Sequence, residues 1–116
     1  MEPKAGEKIL ILKQPWLQMI LSGQKTLEIR GRALSPGKYW LGQGSMIHGV
    51  VYLGTAFWID SLQSWTDHYS QHRVDLPMLP YKKTYALPIL SARPTGRMIP
   101  YIHPKGAIGI VKFRQR

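Results

Sequence analysis

Apolar positions along this chain fall in short blocks, and their spacing changes from block to block. Lys8 to Lys13 (KILILK) is a continuous apolar run between lysines, which predicts a short buried strand. Trp16, Met19 and Ile20 then recur at helical spacing. Pro15 suits the first turn of that helix, where its missing N–H costs nothing, and Ser22-Gly23 ends it. From Thr26 the period switches to two, with Leu27 and Ile29 on a core face and Thr26, Glu28 and Arg30 on the other. Ser35-Pro36-Gly37 breaks the chain again. Tyr39 to Leu41 reads as a short strand. Ser45 to Ile59 carries the longest strand pattern, centred on Met46 to Leu53, with Gly49 and Gly54 marking bulges or barrel corners.

Ser61 to His72 (SLQSWTDHYSQH) predicts a second helix, with Asp60 as its N-cap and Leu62, Trp65 and Tyr69 along one stripe. Val74 to Tyr81 holds two prolines and reads as loop. Tyr85 to Leu90 reads as a strand that Pro88 confines to an edge or a bulge. Arg93 to His103, rich in Pro, Gly and basic residues, reads as a mobile surface loop, and Gly106 to Phe113 (GAIGIVKF) as the last strand. Many short strands with two main helices predict an α+β chain built as a small mixed β-barrel. The length of 116 residues suits one domain, 1–116, with a loose leader at 1–7 and a basic tail at 114–116.

Charge adds a second signal. Sixteen Lys and Arg against six Asp and Glu give a formal net charge of +10 and a pI near 10.2. Such a field attracts polyanions, so RNA or single-stranded nucleic acid is the expected partner class, ahead of an acidic protein. No apolar run is long enough to span a bilayer and no Lys/Arg-rich amphipathic helix is visible, so no membrane partner is expected and an intracellular, cytoplasmic location is the default. The chain has no cysteine, which removes disulfides, thiolate catalysis and Cys-ligated zinc. His68 and His72 stand four apart on the predicted helix, but a zinc site needs a third ligand, and neither metal nor cofactor is expected.

The segment from Lys13 to Arg32 concentrates the chemistry. Gln14-Pro15-Trp16, Gly23-x-Lys25, Thr26 and Glu28-x-Arg30 resemble the opening motif of the ASCH family, and Gly49-Val50-Val51 and the stretch from Pro100-Tyr101 through Lys105-Gly106 to Phe113 fit later strands of that family. The resemblance implies a PUA-like barrel whose ligand cleft lies between the first helix and the barrel. It further implies RNA, DNA or a modified nucleoside as ligand. Some ASCH members deacylate N4-acylated cytidine with a Lys, a Thr and a Glu, others are nucleases, and others bind nucleic acid.

Several readings of the site follow. For binding, Lys13, Lys25, Arg30 and Arg32 would meet phosphates, Glu28 would accept a hydrogen bond from a base, and Gln14, Trp16, Tyr101, His103 and Lys105 would complete the surface, with Trp16, Trp40 or Tyr101 as stacking faces. For an amidohydrolase, Lys25, Thr26 and Glu28 would form the catalytic group. The deacylating members place the Thr three residues after the Lys, where this chain has Glu28. Thr26 directly follows Lys25, and a regular strand sends neighbouring side chains to opposite faces. A metal-independent ribonuclease would draw on Tyr101, His103 and Lys105, provided their loop folds over the cleft. A protein-interaction module docking an acidic partner is the remaining reading. Binding of nucleic acid leads.

Overall fold

The structure, a computed structural model, describes residues 1–116. Seven strands and three short helices run in the order β1 (Lys8–Ile11), α1 (Trp16–Leu21), β2 (Leu27–Arg30), β3 (Gly37–Gln43), β4 (Met46–Leu53), β5 (Phe57–Ile59), α2 (Leu62–Asp67), α3 (Tyr69–His72), β6 (Thr84–Pro100) and β7 (Ile110–Lys112). The sheet order is β2-β6-β4-β3-β1-β7, with β5 on the free side of the first part of β6. Only β1 and β3 pair in parallel. β2 and β7 do not meet, so the mixed sheet curls into a half-barrel, an open form of the small mixed α+β barrel that the strand pattern predicts.

Alternation along the strands builds a core on each side of the sheet. Leu10, Leu12, Tyr39, Leu41, Val51 and Leu53 face α1 and pack with its Leu17 and Ile20. The intervening Ile9, Trp40 and Val50 face the other way, with Ile47, Ile99, Tyr101, Val111 and Phe113. A third cluster joins Leu27, Ile29, Ile59 and Ala86 to Trp65 of α2. A six-residue helix such as α1 is not stable alone, so burial of Leu17 and Ile20, worth about 1.5–3 kcal/mol each, is what holds it on the sheet.

The structure corrects several expectations. Arg93 to Pro100 is not a loop. It is the second half of β6, paired with β4 from Leu53↔Ile89 to Met46↔Pro100. The register shifts between Ile47 and Gly49, so that Thr95 to Met98 bulge out of the pairing between Pro94, opposite Gly49, and Pro100, opposite Met46. Gly49 is required there: a Cβ would lie 2.7 Å from the Arg93 carbonyl oxygen and 2.6 Å from Leu21 of α1. The long strand expected over Ser45 to Ile59 ends at Leu53, and Phe57–Ile59 forms a separate edge strand.

The second helix breaks at His68 into α2 and α3, giving three helices rather than two. Its cap is Ser61, whose Oγ accepts the Ser64 N–H at 3.1 Å, and not Asp60. Of the proposed stripe only Trp65 is buried, while Leu62 and Tyr69 are exposed. The last strand is shorter than Gly106 to Phe113, because Gly106 and Gly109 adopt positive φ ahead of Ile110. The leader is tied down at its end, with Gly6 N–H donating to the Phe113 carbonyl at 2.9 Å and Glu7 accepting from Phe113 at 2.7 Å. The basic tail is likewise engaged, through the Tyr101↔Gln115 bridge. No helix is long and apolar enough to cross a membrane.

Candidate nucleic-acid interface beside the first helix

β2 delivers Glu28 and Arg30 to one face and Leu27 and Ile29 to the other, as its alternation predicts. Both faces of this edge strand are covered, however, so Glu28 is only 6% exposed. Its carboxylate sits between two cations. Arg30 Nε donates to Glu28 Oε2 at 2.7 Å, and Lys25 Nζ lies 3.8 Å from Oε1. Arg30 Nη2 also donates to the Ile11 carbonyl at 2.8 Å, which ties the end of β1 to β2.

Lys25 is the unusual member, with 1% of its surface exposed. Its Nζ donates to the His72 carbonyl at 2.5 Å, at the C-terminal end of α3, where an accepting carbonyl favours a cation. The ammonium also lies 5.2 Å from the centroid of the Trp16 ring. Burial pushes the lysine pKa down to about 8; the Glu28 carboxylate opposes that shift and Arg30 adds to it. The cluster thereby joins α1, α3, β1 and β2, and none of its buried polar side-chain atoms is left without a partner.

His72 is fully buried. Its ring stacks on Trp65 with centroids 3.8 Å apart. The Val74 N–H donates to Nδ1 at 2.9 Å, so Nε2 carries the ring proton and donates to the Trp65 carbonyl at 2.8 Å. Desolvation lowers its pKa, and Lys25 and His68 push in the same direction. With both nitrogens used by the backbone, and His68 Nδ1 donating to the Ser64 carbonyl at 2.7 Å, the pair four residues apart is part of the helix packing.

Thr26 lies outside β2, at its entrance, and is exposed while Lys25 is buried. Its backbone is fixed on both sides, donating to the Gln71 carbonyl and accepting from Ile89, each at 2.9 Å. Both residues border a cleft of about 270 Å³, which is also lined by Ile20, Leu21, Gly23, Ile89, Ser91 and Ala92. No hydrogen bond connects the Thr26 hydroxyl to Lys25, and Glu28 lies behind Lys25 rather than in the cleft wall. A second hollow of about 300 Å³, lined by Trp65, Tyr69, His72, Asp75 and Leu76 among others, lies on the α2–α3 side.

The remaining predicted residues divide by place. Lys13, Gln14 and Arg32 are exposed, and Trp16 is half-buried against the α1 core. Gln14, just ahead of the Pro15 N-cap, accepts the Gln18 N–H at 3.1 Å through its Oε1 and so satisfies one donor of the first turn of α1. Tyr101 is not an exposed stacking face: it is 1% exposed and packs in the core on the opposite side of the sheet from α1. Its hydroxyl bonds His103 Nδ1 at 2.9 Å, and His103 Nε2 donates to the Ala107 carbonyl at 2.9 Å. Trp40 is buried in that same core. Lys105 is exposed beyond that loop, so the structure does not bring Tyr101, His103 and Lys105 into the cleft beside α1.

Sequence reasoning missed the His72 and Ile11 carbonyls, which bind the two cations, and the β6 residues Ile89, Ser91 and Ala92 in the cleft wall. Backbone acceptors leave no residue signature. The spacing of seven between Trp65 and His72 was the one available clue that both share a buried helix face.

Charge is distributed unevenly. Residues 60–75 contain Asp60, Asp67 and Asp75 against Arg73 alone, a net −2. The rest of the chain holds fifteen Lys and Arg and three carboxylates, a net +12. All three of those carboxylates are paired: Glu2 with Arg97, Glu7 with Lys38, and Glu28 with Lys25 and Arg30.

No protein-family model matches the chain, and no curated protein matches it. Among solved structures it is similar to the ASCH protein of Zymomonas mobilis, crystallised unmutated and as point variants. One variant superposes with a TM-score of 0.71 at 19% identity, covering 97% of this chain and 92% of that one. The unmutated protein gives 0.71 at 18% identity, with 94% of this chain and 88% of that one covered. The chain therefore has the fold of an ASCH domain.

Proposed function

We propose that this chain binds RNA or single-stranded nucleic acid across its basic body, with a base or nucleoside taken up in the cleft beside α1. The observation that carries this reading is the charge distribution: a net +12 outside residues 60–75, with every carboxylate of that region already neutralised by a cation of its own. A polyanion meets no unpaired negative charge there, and exposed Lys13 and Arg32 flank the two ends of the α1–β2 segment. Lys25 and Arg30 are bound to Glu28 and to backbone carbonyls, so phosphate contact falls to the exposed cations. The test is a titration of labelled single-stranded RNA with the double variant Lys13→Gln, Arg32→Gln. A fall in affinity with unchanged thermal unfolding supports the reading, and unchanged affinity removes this face from it.

One observation favours a second reading, deacylation of an N4-acylated cytidine: burial lowers Lys25 to about 8, the range of a usable general base, at the floor of the cleft and next to Thr26. Against it, the lysine amine is engaged by His72 and no hydrogen bond links it to the Thr26 hydroxyl. Release of acetate from N4-acetylcytidine by the wild type, lost in Thr26→Val, would establish it.

A further inference from the structure

We infer that the in-register row Trp58–Tyr85–Arg30 is a base-stacking shelf for single-stranded nucleic acid, an extension of the binding reading proposed above. Trp58 of β5 pairs with Tyr85 of β6, and Tyr85 pairs on its other side with Arg30 of β2. Directly opposed residues of antiparallel strands share a face, so the three side chains stand in one line across three strands. With neighbouring strands about 4.8 Å apart, the row spans roughly 10 Å between the Trp58 and Arg30 backbones.

The row grades from open to closed. Trp58 is 57% exposed on its three-residue edge strand. The next strand residues on either side, Phe57 and Ile59, take the opposite face, where Ile59 is fully buried under Trp65. Tyr85 is half-buried, and the Arg30 side chain is 18% exposed and oriented by its bonds to Glu28 and Ile11. Two aromatic side chains in register beside a fixed arginine give the row an apolar end and a cationic end.

Charge complementarity selects the occupant. Past the Arg30 end the chain carries exposed Arg32, and ahead of Tyr85 it carries exposed Lys82 and Lys83. Two carboxylates lie two residues from the row: Asp60 follows the Trp58 end, and Glu28 precedes Arg30 and is already paired with it. A nucleotide therefore fits in one sense, with its base on Trp58 and Tyr85 and its phosphate toward the exposed Arg32, Lys82 and Lys83. Aromatic rings flanked by cations recognise single strands through base faces rather than base edges, so the shelf is tolerant of sequence.

Full-length wild type, Trp58→Ala and Trp58→Phe are titrated by anisotropy with a labelled octa-adenylate and with an abasic ribose-phosphate oligomer of equal charge. The shelf predicts that Trp58→Ala weakens octa-adenylate binding by roughly 5- to 150-fold, the range for loss of one stacked base, that Trp58→Phe keeps most of the affinity, and that neither changes abasic binding. Equal octa-adenylate affinity in wild type and Trp58→Ala overturns the shelf while leaving the binding reading intact. Equal losses on both oligomers overturn stacking as the cause. A wild type that binds neither oligomer overturns the binding reading and the shelf with it.

Discussion

An isolated ammonium or carboxylate costs several kcal/mol to bury, and Lys25 and Glu28 are buried together with Arg30 closing the pair. Removing the shared carboxylate should be the damaging change. Glu28→Ala is expected to lose about 3–5 kcal/mol in urea denaturation, because two cations then lack a counter-charge, whereas Lys25→Met leaves Glu28 with Arg30 and should cost far less. A milder loss for Glu28→Ala than for Lys25→Met would refute this assignment. The lysine also imposes a pH dependence. Its pKa lies near 8 in the fold against 10.5 ordinarily, so between these values the unfolded chain binds a proton that the native one does not. Stability should therefore rise with pH through this window, by about 3 kcal/mol at most, relative to Lys25→Met over the same range. Alternation made the shared face of Glu28 and Arg30 legible in the sequence. Their burial was not, since it depends on α1 and α3 closing over an edge strand.

At the scale of elements, β1, α1, β2 and the centre of β4 were legible because each shows a clean period and a recognisable stop. β6 was not. Pro94, Gly96 and Pro100 are loop signals over its second half, where Pro94 and Pro100 nevertheless pair with Gly49 and Met46 on either side of the bulge. The α2–α3 unit was legible as helix but not as a break at His68, where tertiary packing of His72 against Trp65 overrides helical continuity. That packing predicts acid sensitivity. His72 faces Lys25, His68 and Asp75 as well as the rings of Trp65 and Tyr69, and its pKa lies below the ordinary 6.5. As pH falls below 6.5 the unfolded histidine takes up a proton that the folded one refuses, so stability present at neutral pH is lost toward the lowered value. Hydrogen exchange should show α2 and α3 opening ahead of β3 and β4 as pH drops from 6.5, and uniform exchange across all four would contradict it. Since the His72 carbonyl holds Lys25, this opening should loosen the ionic cluster as well.

For the whole molecule, composition gave the net charge, but its division into a basic body and an acidic 60–75 segment becomes meaningful only once the ion pairs are known. Three of six carboxylates are consumed by neighbours, and the other three lie together in and beside α2 and α3. A polyanion should bind by displacing counterions from that body, and the most direct test is the salt dependence of wild-type affinity for a short single-stranded RNA. The account predicts that log Kobs falls linearly with log salt, with a slope of about −0.7 per phosphate contacted, so roughly −3 for four contacts. A flat salt dependence, or no binding at low salt, would contradict the claim that this basic body is a nucleic-acid interface.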